Sequence, residues 1–155
     1  MNKIVLLNAS CADQSVDAVV NAANSGLWAG GGICGVIFKK AGMAALSAAC
    51  AKYQPPLKDG SAVITPAFNM TNARYIIHAV GPDFGRTPKA FKELFDAYYN
   101  SLCVLKDNGL HSISSPSSAQ ASSAAPSPTQ PPSPPNSAAE PTTSSLPTSR
   151  IIPWM

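Results

Sequence analysis

Charged side chains are scarce in this sequence, and they almost disappear after residue 111. Only 12% of the 155 residues are charged, and residues 112–155 contain only Glu140 and Arg150. Glycine is absent from the same part, because all ten glycines lie at or before Gly109. The composition there is rich in Ser, Pro, Ala and Thr, and so few large apolar side chains cannot form a core. The sequence predicts a folded domain at 1–111 and a disordered Ser/Pro-rich tail at 112–155.

Other absences argue against several classes of function. The net charge is +3 and no run of lysine or arginine exceeds two residues, so we expect no nucleic-acid partner. The four cysteines include no CxxC pair and no histidine at zinc-ligand spacing, so we expect reduced thiols and no metal. No apolar stretch is long enough to span a membrane, and Ile4–Leu7 is too short for a signal sequence. We expect a cytoplasmic protein without a membrane partner or cofactor; its oligomeric state stays open.

Short apolar runs alternate with amphipathic segments in the first 111 residues. The apolar spacing in the longer segments repeats as on a helix packed against a sheet. Such alternation favours an α/β domain with a largely parallel sheet. The predicted strands are Ile4–Leu7, Val16–Val20, Ser61–Thr65 and Tyr75–Val80, and the predicted helices are Ile33–Ala41, Met43–Lys52 and Phe91–Leu105.

A glycine-rich loop follows the second predicted strand and contains the candidate binding residues. Asn21 and Asn24 close that strand, and Gly30, Gly31 and Gly32 lead into the next helix. Glycine backbone amides at a helix N-terminus favour a phosphate, and carboxamides can bond ribose hydroxyls without adding negative charge. The loop is neither a Walker A loop, since no GK[ST] follows, nor a GxGxxG dinucleotide fingerprint. A tight turn without a ligand remains the alternative.

Two segments resemble a known family. VDAVVNAANSGLWAGGGICGVIFKKAG, at 16–42, is similar to the signature of macro domains, and DGSAVITPAFNMTNARYIIHAVGP, at 59–82, is similar to the family's second block. The resemblance implies a three-layer α/β/α domain with a mixed sheet. It also implies that ADP-ribose, free or attached to a protein, is the partner and binds in a cleft at the strand ends.

The resemblance also assigns roles to individual residues. Asn21 and Asn24 would contact the distal ribose, and Ala79, Val80 and Gly81 would shape the cleft floor. If the family's hydrolytic chemistry is present, Asn24 and Cys34 are the candidate catalytic residues. The residues expected to wrap the ribose and the diphosphate are Gly30, Gly31, Gly32, Ile33, Cys34 and Gly35.

The sequence departs from the family at two places. Cys34 stands where many hydrolytic members have an aspartate, although some hydrolytic viral members also carry cysteine; a packing thiol is the alternative to a catalytic one. Residues 9–12, Ala-Ser-Cys-Ala, replace the family's GDIT, whose aspartate contacts the adenine amine, so adenine recognition should weaken or shift. His78 lies in an apolar strand, so we expect a buried histidine with hydrogen-bond partners and no catalytic role. Trp28 and Phe84 could border the cleft.

The start of the tail matches an out-of-frame translation of a segment that the family resemblance leads us to expect. The family expects a strand and a second phosphate loop of the kind FPLISAGIFGG after about residue 114. One choice of synonymous codons for that loop, read from the second base, translates as SPSSAQASSAA, which is the sequence at 115–125. We interpret the tail as a frame-shifted reading that truncates the domain and removes a central strand, the second loop and a covering helix.

Three functions remain open at this point. The chain could hydrolyse mono-ADP-ribose from acidic protein side chains or deacetylate O-acetyl-ADP-ribose. It could instead bind ADP-ribose without turnover, which a cysteine at position 34 favours. It could also be an inactive truncation product.

Overall fold

The computed structural model describes residues 2–117 and the backbone of 149–153. In this part six strands form one sheet in the order β1-β6-β5-β2-β4-β3. A short 3-10 helix at Cys11–Asp13 follows β1. The elements are β1 Val5–Leu7, β2 Val16–Ala23, α1 Gly32–Ala41, α2 Met43–Ala51, β3 Ala62–Pro66, β4 Ala73–Val80, α3 Ala90–Asp107, β5 Ser112–Pro116 and β6 Ser149–Pro153.

The helices cover both faces of the sheet. Along β2 the side chains alternate between the faces. Val19 belongs to a core cluster with residues of α1 and α2, among them Phe38 and Leu46. Val20 belongs to a second cluster with Leu105 of α3. The predicted three-layer α/β/α arrangement is therefore confirmed.

The sheet is mixed. β2 runs parallel to both β4 and β5, whereas β3 is antiparallel to β4 and β6 is antiparallel to both β5 and β1. The expectation of a largely parallel sheet is wrong for the outer strands, and the mixed sheet implied by the family resemblance is confirmed. Since β3 enters the sheet from the edge where β4 ends, the loop before β3 meets the loops after β2 and β4.

The described fold extends past the predicted domain boundary at residue 111. Residues 112–116 form β5 in the middle of the sheet, where Ile113 is 1% exposed and packs beside Leu105 and Leu110. Ser114, also buried, shows why composition misled: small hydroxyl side chains can occupy a central strand. The central strand is therefore retained. The backbone of 149–153 adds β6, and the rest of the predicted disordered tail, 118–148 and 154–155, lies outside the described residues.

Asp17 fixes the start of β5. Its Oδ2 accepts hydrogen bonds from the backbone N–H groups of His111 at 2.8 Å and Ser112 at 3.2 Å, and the Asp17 N–H donates to Ser112 Oγ at 2.8 Å. These bonds hold β5 beside β2 in a parallel register.

No single helix in the described part is long and apolar enough to cross a membrane. α1 and α2 together reach that length and composition, but they meet at an angle of 106°. Phe38 and Leu46, one from each helix, are fully buried in the core of the domain.

Candidate functional site

A large cavity opens at the carboxyl ends of β2 and β4. Its volume is about 1400 Å³, which exceeds the range of most small-molecule pockets because it is an open cleft. The loop after β2, the loop before β3, the loop after β4 and the first turns of α1 and α3 form its walls. The lining residues are Ala22, Ala23, Asn24, Ser25, Trp28, Gly30, Gly31, Gly32, Ile33, Cys34, Pro56, Leu57, Lys58, Asp59, Gly81, Pro82, Asp83, Arg86, Thr87 and Glu93.

The N-terminus of α1 faces this cavity. Its N-cap is Gly31, no side chain caps it, and its first turn contains no acidic residue. The first N–H groups of a helix have no partner within the helix and carry partial positive charge. Gly32, which lines the cavity, has a φ of +58°, a left-handed conformation that favours glycine. This end of α1 is suited to a phosphate or diphosphate.

Asn24 shapes the loop rather than pointing a free amide into the cavity. Its Oδ1 accepts from the Trp28 N–H at 3.2 Å, and its Nδ2 donates to the Trp28 carbonyl at 3.0 Å. Trp28 itself is 63% exposed and lines the cavity. The sequence interpretation had considered it as a border of the cleft. Both polar atoms of the Asn24 side chain are thus hydrogen-bonded within the loop.

Cys34 clamps the same loop. Its Sγ accepts from the Gly30 N–H at 3.4 Å and donates to the Trp28 carbonyl at 3.6 Å, and the residue is only 4% exposed. Gly35 packs closely behind, since a Cβ there would lie 2.6 Å from the Gly30 carbonyl oxygen. These contacts fix the position of the glycine loop against the start of α1.

Four of the predicted ligand-binding residues do not line the cavity. Asn21 is fully buried beneath it, and Gly35 lies behind the loop. Val80 is also fully buried, while Ala79 lines a smaller apolar groove between the sheet and α3. Asn21, Ala79 and Val80 still lie within β2 and β4, where side chains point to the two faces of the sheet and not to its carboxyl edge. The predicted residues that do line the cavity are Asn24, Gly30, Gly31, Gly32, Ile33, Cys34 and Gly81.

His78 is a satisfied core residue, as its sequence context predicts. Its Nδ1 lies 3.1 Å from Asn21 Nδ2, and its Nε2 lies 2.9 Å from Thr65 Oγ1 and 3.8 Å from Cys50 Sγ. Burial lowers the pKa of His78 to about 4, so the ring is neutral near pH 7. Burial likewise raises the pKa of the Cys50 thiol to about 11.

The segment that replaces GDIT offers no carboxylate to the cleft. Cys11 and Ala12 are buried, and desolvation raises the pKa of Cys11 to about 12. The neighbouring Asp13 forms an ion pair with Lys40. Phe84, considered as a border of the cleft, packs edge-to-face on Phe91 at 5.7 Å instead.

The sequence interpretation missed a charged end of the cavity. Lys58, Asp59, Asp83, Arg86 and Glu93 all line it on the side of β3 and α3. Within the described part of the chain, Glu93 Oε2 is shielded from solvent and has no hydrogen-bond partner. The antiparallel entry of β3 brings Lys58 and Asp59 to the cleft, whereas the other three residues follow β4 or lie on α3. The sequence contained one weak indication of this end of the cavity, a Lys-Asp-Gly turn at 58–60 before a predicted strand.

Comparisons with known proteins agree with this architecture. A family model described as Macro domain matches residues 20–122. An uncharacterized protein of Fusobacterium nucleatum is 46% identical over 104 residues, which cover 66% of this chain and 57% of that protein. O-acetyl-ADP-ribose deacetylase of Salmonella typhimurium is 37% identical over 119 residues, which cover 75% of this chain and 66% of the enzyme. The chain thus spans roughly three-fifths of these two relatives.

Solved structures show the same fold. The macrodomain of Oceanobacillus iheyensis with ADP superposes with a TM-score of 0.66 at 31% identity, covering 76% of this chain and 70% of that one. The Trypanosoma brucei macrodomain in complex with ADP-ribose gives a TM-score of 0.60 at 33% identity, covering 70% and 44%. The family match extends over about two-thirds of the sequence and includes the glycine loop, α1 and β5. This chain belongs to the macro domain family.

Proposed function

We propose that this chain binds ADP-ribose in the cavity, with the diphosphate at the N-terminus of α1. The observation that carries the proposal is the uncapped helix end behind Gly31 and Gly32, which presents backbone N–H groups to a cleft of sufficient size. The solved macrodomains with ADP and with ADP-ribose support it, since they share the fold at over 30% identity.

Calorimetric titration tests the binding proposal. ADP-ribose should bind more tightly than about 1 mM, and AMP, which has one phosphate and no distal ribose, should bind more weakly. ADP separates the contribution of the diphosphate from that of the distal ribose. A folded protein, checked by circular dichroism, that releases no heat with ADP-ribose would contradict the proposal.

A second candidate function is hydrolysis of an ester on the distal ribose, either O-acetyl-ADP-ribose or ADP-ribose attached to an acidic side chain. The relatives named O-acetyl-ADP-ribose deacetylase support it. The Asn24 and Cys34 side chains are both occupied by hydrogen bonds within the loop, which disfavours either as the group that activates water. Glu93, whose Oε2 has no partner in the described part of the chain, is the better candidate base.

Glu93 would take a proton from water while the water oxygen bonds to the acyl carbon. The ester C–O bond then breaks, and the proton passes to the ribose oxygen, which leaves a free acid and ADP-ribose. Glu93→Gln should reduce acid release by about 100-fold or more and leave ADP-ribose affinity unchanged. Asp83→Asn, a change in another lining carboxylate, is the control and should retain turnover. Equal loss in both variants would contradict this role of Glu93.

A further inference from the structure

Four side chains beneath the glycine loop are joined by hydrogen bonds into a series that we call the buried polar chain: Cys34, Asn21, His78 and Thr65. Asn21 Nδ2 lies 3.6 Å from Cys34 Sγ and 3.1 Å from His78 Nδ1, and His78 Nε2 lies 2.9 Å from Thr65 Oγ1. All four residues are buried, with at most 4% of their surface exposed. The series connects β3, β4 and β2 to the first turn of α1.

The direction of these bonds follows from the donors available. Asn21 Nδ2 carries two hydrogens, one for Cys34 Sγ and one for His78 Nδ1. His78 Nδ1 must then accept, which requires a neutral ring, and Nε2 carries the hydrogen that is donated to Thr65 Oγ1. Each member therefore restricts the orientation of the next.

Packing alone does not account for an asparagine at position 21. Its Oδ1 is buried and has no hydrogen-bond partner among the described residues, an arrangement that disfavours the folded state. An apolar residue of similar volume would avoid this unsatisfied oxygen. The position nevertheless uses both amide hydrogens, and both serve the series that ends at the glycine loop.

We propose that the buried polar chain positions the ligand-binding loop. Asn21 orients the Cys34 thiol, and Cys34 in turn fixes the Gly30 N–H and the Trp28 carbonyl, so that the neighbouring glycine amides face the cavity. The predicted effect on affinity rests on the proposed binding of ADP-ribose, whereas the hydrogen bonds of the chain do not depend on it. It makes Asn21 and His78 positioning residues without ligand contact.

Thr65 is the best place to test the proposal, because it is buried, does not line the cavity, and matches valine in shape. Thr65→Val removes the nearer acceptor of His78 Nε2–H and leaves only Cys50 Sγ, at 3.8 Å, whereas Thr65→Ser retains the hydroxyl. Ser101→Ala is the matched control, since Ser101 is equally buried and, among the described residues, its hydroxyl bonds the Ala97 carbonyl within α3 and no member of the series. The readouts are amide hydrogen exchange of Gly30 and Trp28 without ligand, and the dissociation constant for ADP-ribose.

Thr65→Val should raise the Gly30 exchange rate about tenfold and weaken ADP-ribose binding about fivefold, whereas Thr65→Ser and Ser101→Ala should change neither. Cys34→Ala should accelerate Gly30 exchange in the same way, and Cys34→Ser should restore much of the protection. These two variants address the other end of the series should Thr65→Val fold poorly.

Unchanged Gly30 exchange in Thr65→Val and Cys34→Ala would overturn the proposal, as would faster exchange spread evenly over all strand amides. The exchange measurement needs no ligand. Failure of the wild-type protein to bind ADP-ribose would therefore contradict the proposed function, while the Gly30 result would still decide on the positioning role.

Discussion

At the scale of single residues, the glycine loop illustrates what sequence spacing reveals. Asn24, Gly30, Gly31, Gly32 and Cys34 are close in sequence, so the site that they form could be predicted from one motif. The hydrogen bonds that turn Asn24 and Cys34 inward could not, because they depend on where the Trp28 backbone lies.

Close packing behind the loop predicts an asymmetry between two glycines. Alanine at position 35 would place its Cβ 2.6 Å from the Gly30 carbonyl oxygen, whereas alanine at position 31 would meet nothing within 4 Å. Although alanine favours a helix over glycine, we expect Gly35→Ala to lower the free energy of unfolding by about 1–3 kcal/mol. Gly31→Ala should change it by less than about 0.5 kcal/mol. Chemical denaturation measures both; equal stabilities would contradict the packing described for Gly35.

Neutral His78 makes stability depend on pH. Its pKa of about 4 lies below the unfolded value near 6.5, so between these values the unfolded state binds more protons. The stability contribution is complete above pH 6.5 and declines as the pH falls toward 4, by about 3 kcal/mol in total. Cys50 is the titratable group beside the ring, and its raised pKa keeps it a neutral thiol throughout this range.

NMR titration of the His78 ring protons tests this prediction. A midpoint near 4 is expected, together with loss of stability in denaturation curves below pH 6.5. A midpoint near 6.5 would mean that the ring is solvated and that the buried polar chain does not exist as described.

At the scale of elements, most boundaries could be read from apolar periodicity to within two residues. β5 could not, because Ile113 is its only large apolar residue and serines fill the buried positions around it. β2 also continues to Ala23, past its predicted end at Val20, which turns Asn21 into a buried strand residue. Strand pairing, rather than local composition, determines both.

The place of β5 in the sheet predicts a large effect from one substitution. Ile113→Ala removes a side chain that is 1% exposed between the sheet and α3 and should lower the free energy of unfolding by about 2–4 kcal/mol. Ile4→Ala, at a position that is 59% exposed, should change it by less than about 0.5 kcal/mol. An equally small effect at Ile113 would contradict the placement of residues 112–116 in the middle of the sheet.

At the scale of the whole molecule, the cavity combines one contiguous motif with segments that only the tertiary fold brings together. The loops after β2 and β4 were foreseen from the family resemblance. Lys58, Asp59 and Glu93 reach the cleft through antiparallel β3 and through α3, whose placement no local pattern encodes. The sequence therefore predicts the phosphate end of the site better than its charged end.

The frame-shift interpretation concerns the chain from Ser115 onward, which includes the last two residues of β5 but none of the residues that line the cavity. It predicts that the nucleotide sequence encodes FPLISAGIFGG, or a close variant, in the overlapping frame across codons 115–125. Sequencing the gene together with its transcript decides the matter. An overlapping frame without such a loop would exclude the interpretation.

The central claim is that the N-terminus of α1 and its glycine loop hold the diphosphate of ADP-ribose. The most direct test is an amide chemical-shift titration of the ¹⁵N-labelled protein with ADP-ribose. The largest shifts should fall on Gly31, Gly32 and Ile33, with smaller ones at Gly81. Saturable shifts confined to other surfaces, or none at millimolar ADP-ribose in a folded protein, would contradict the account.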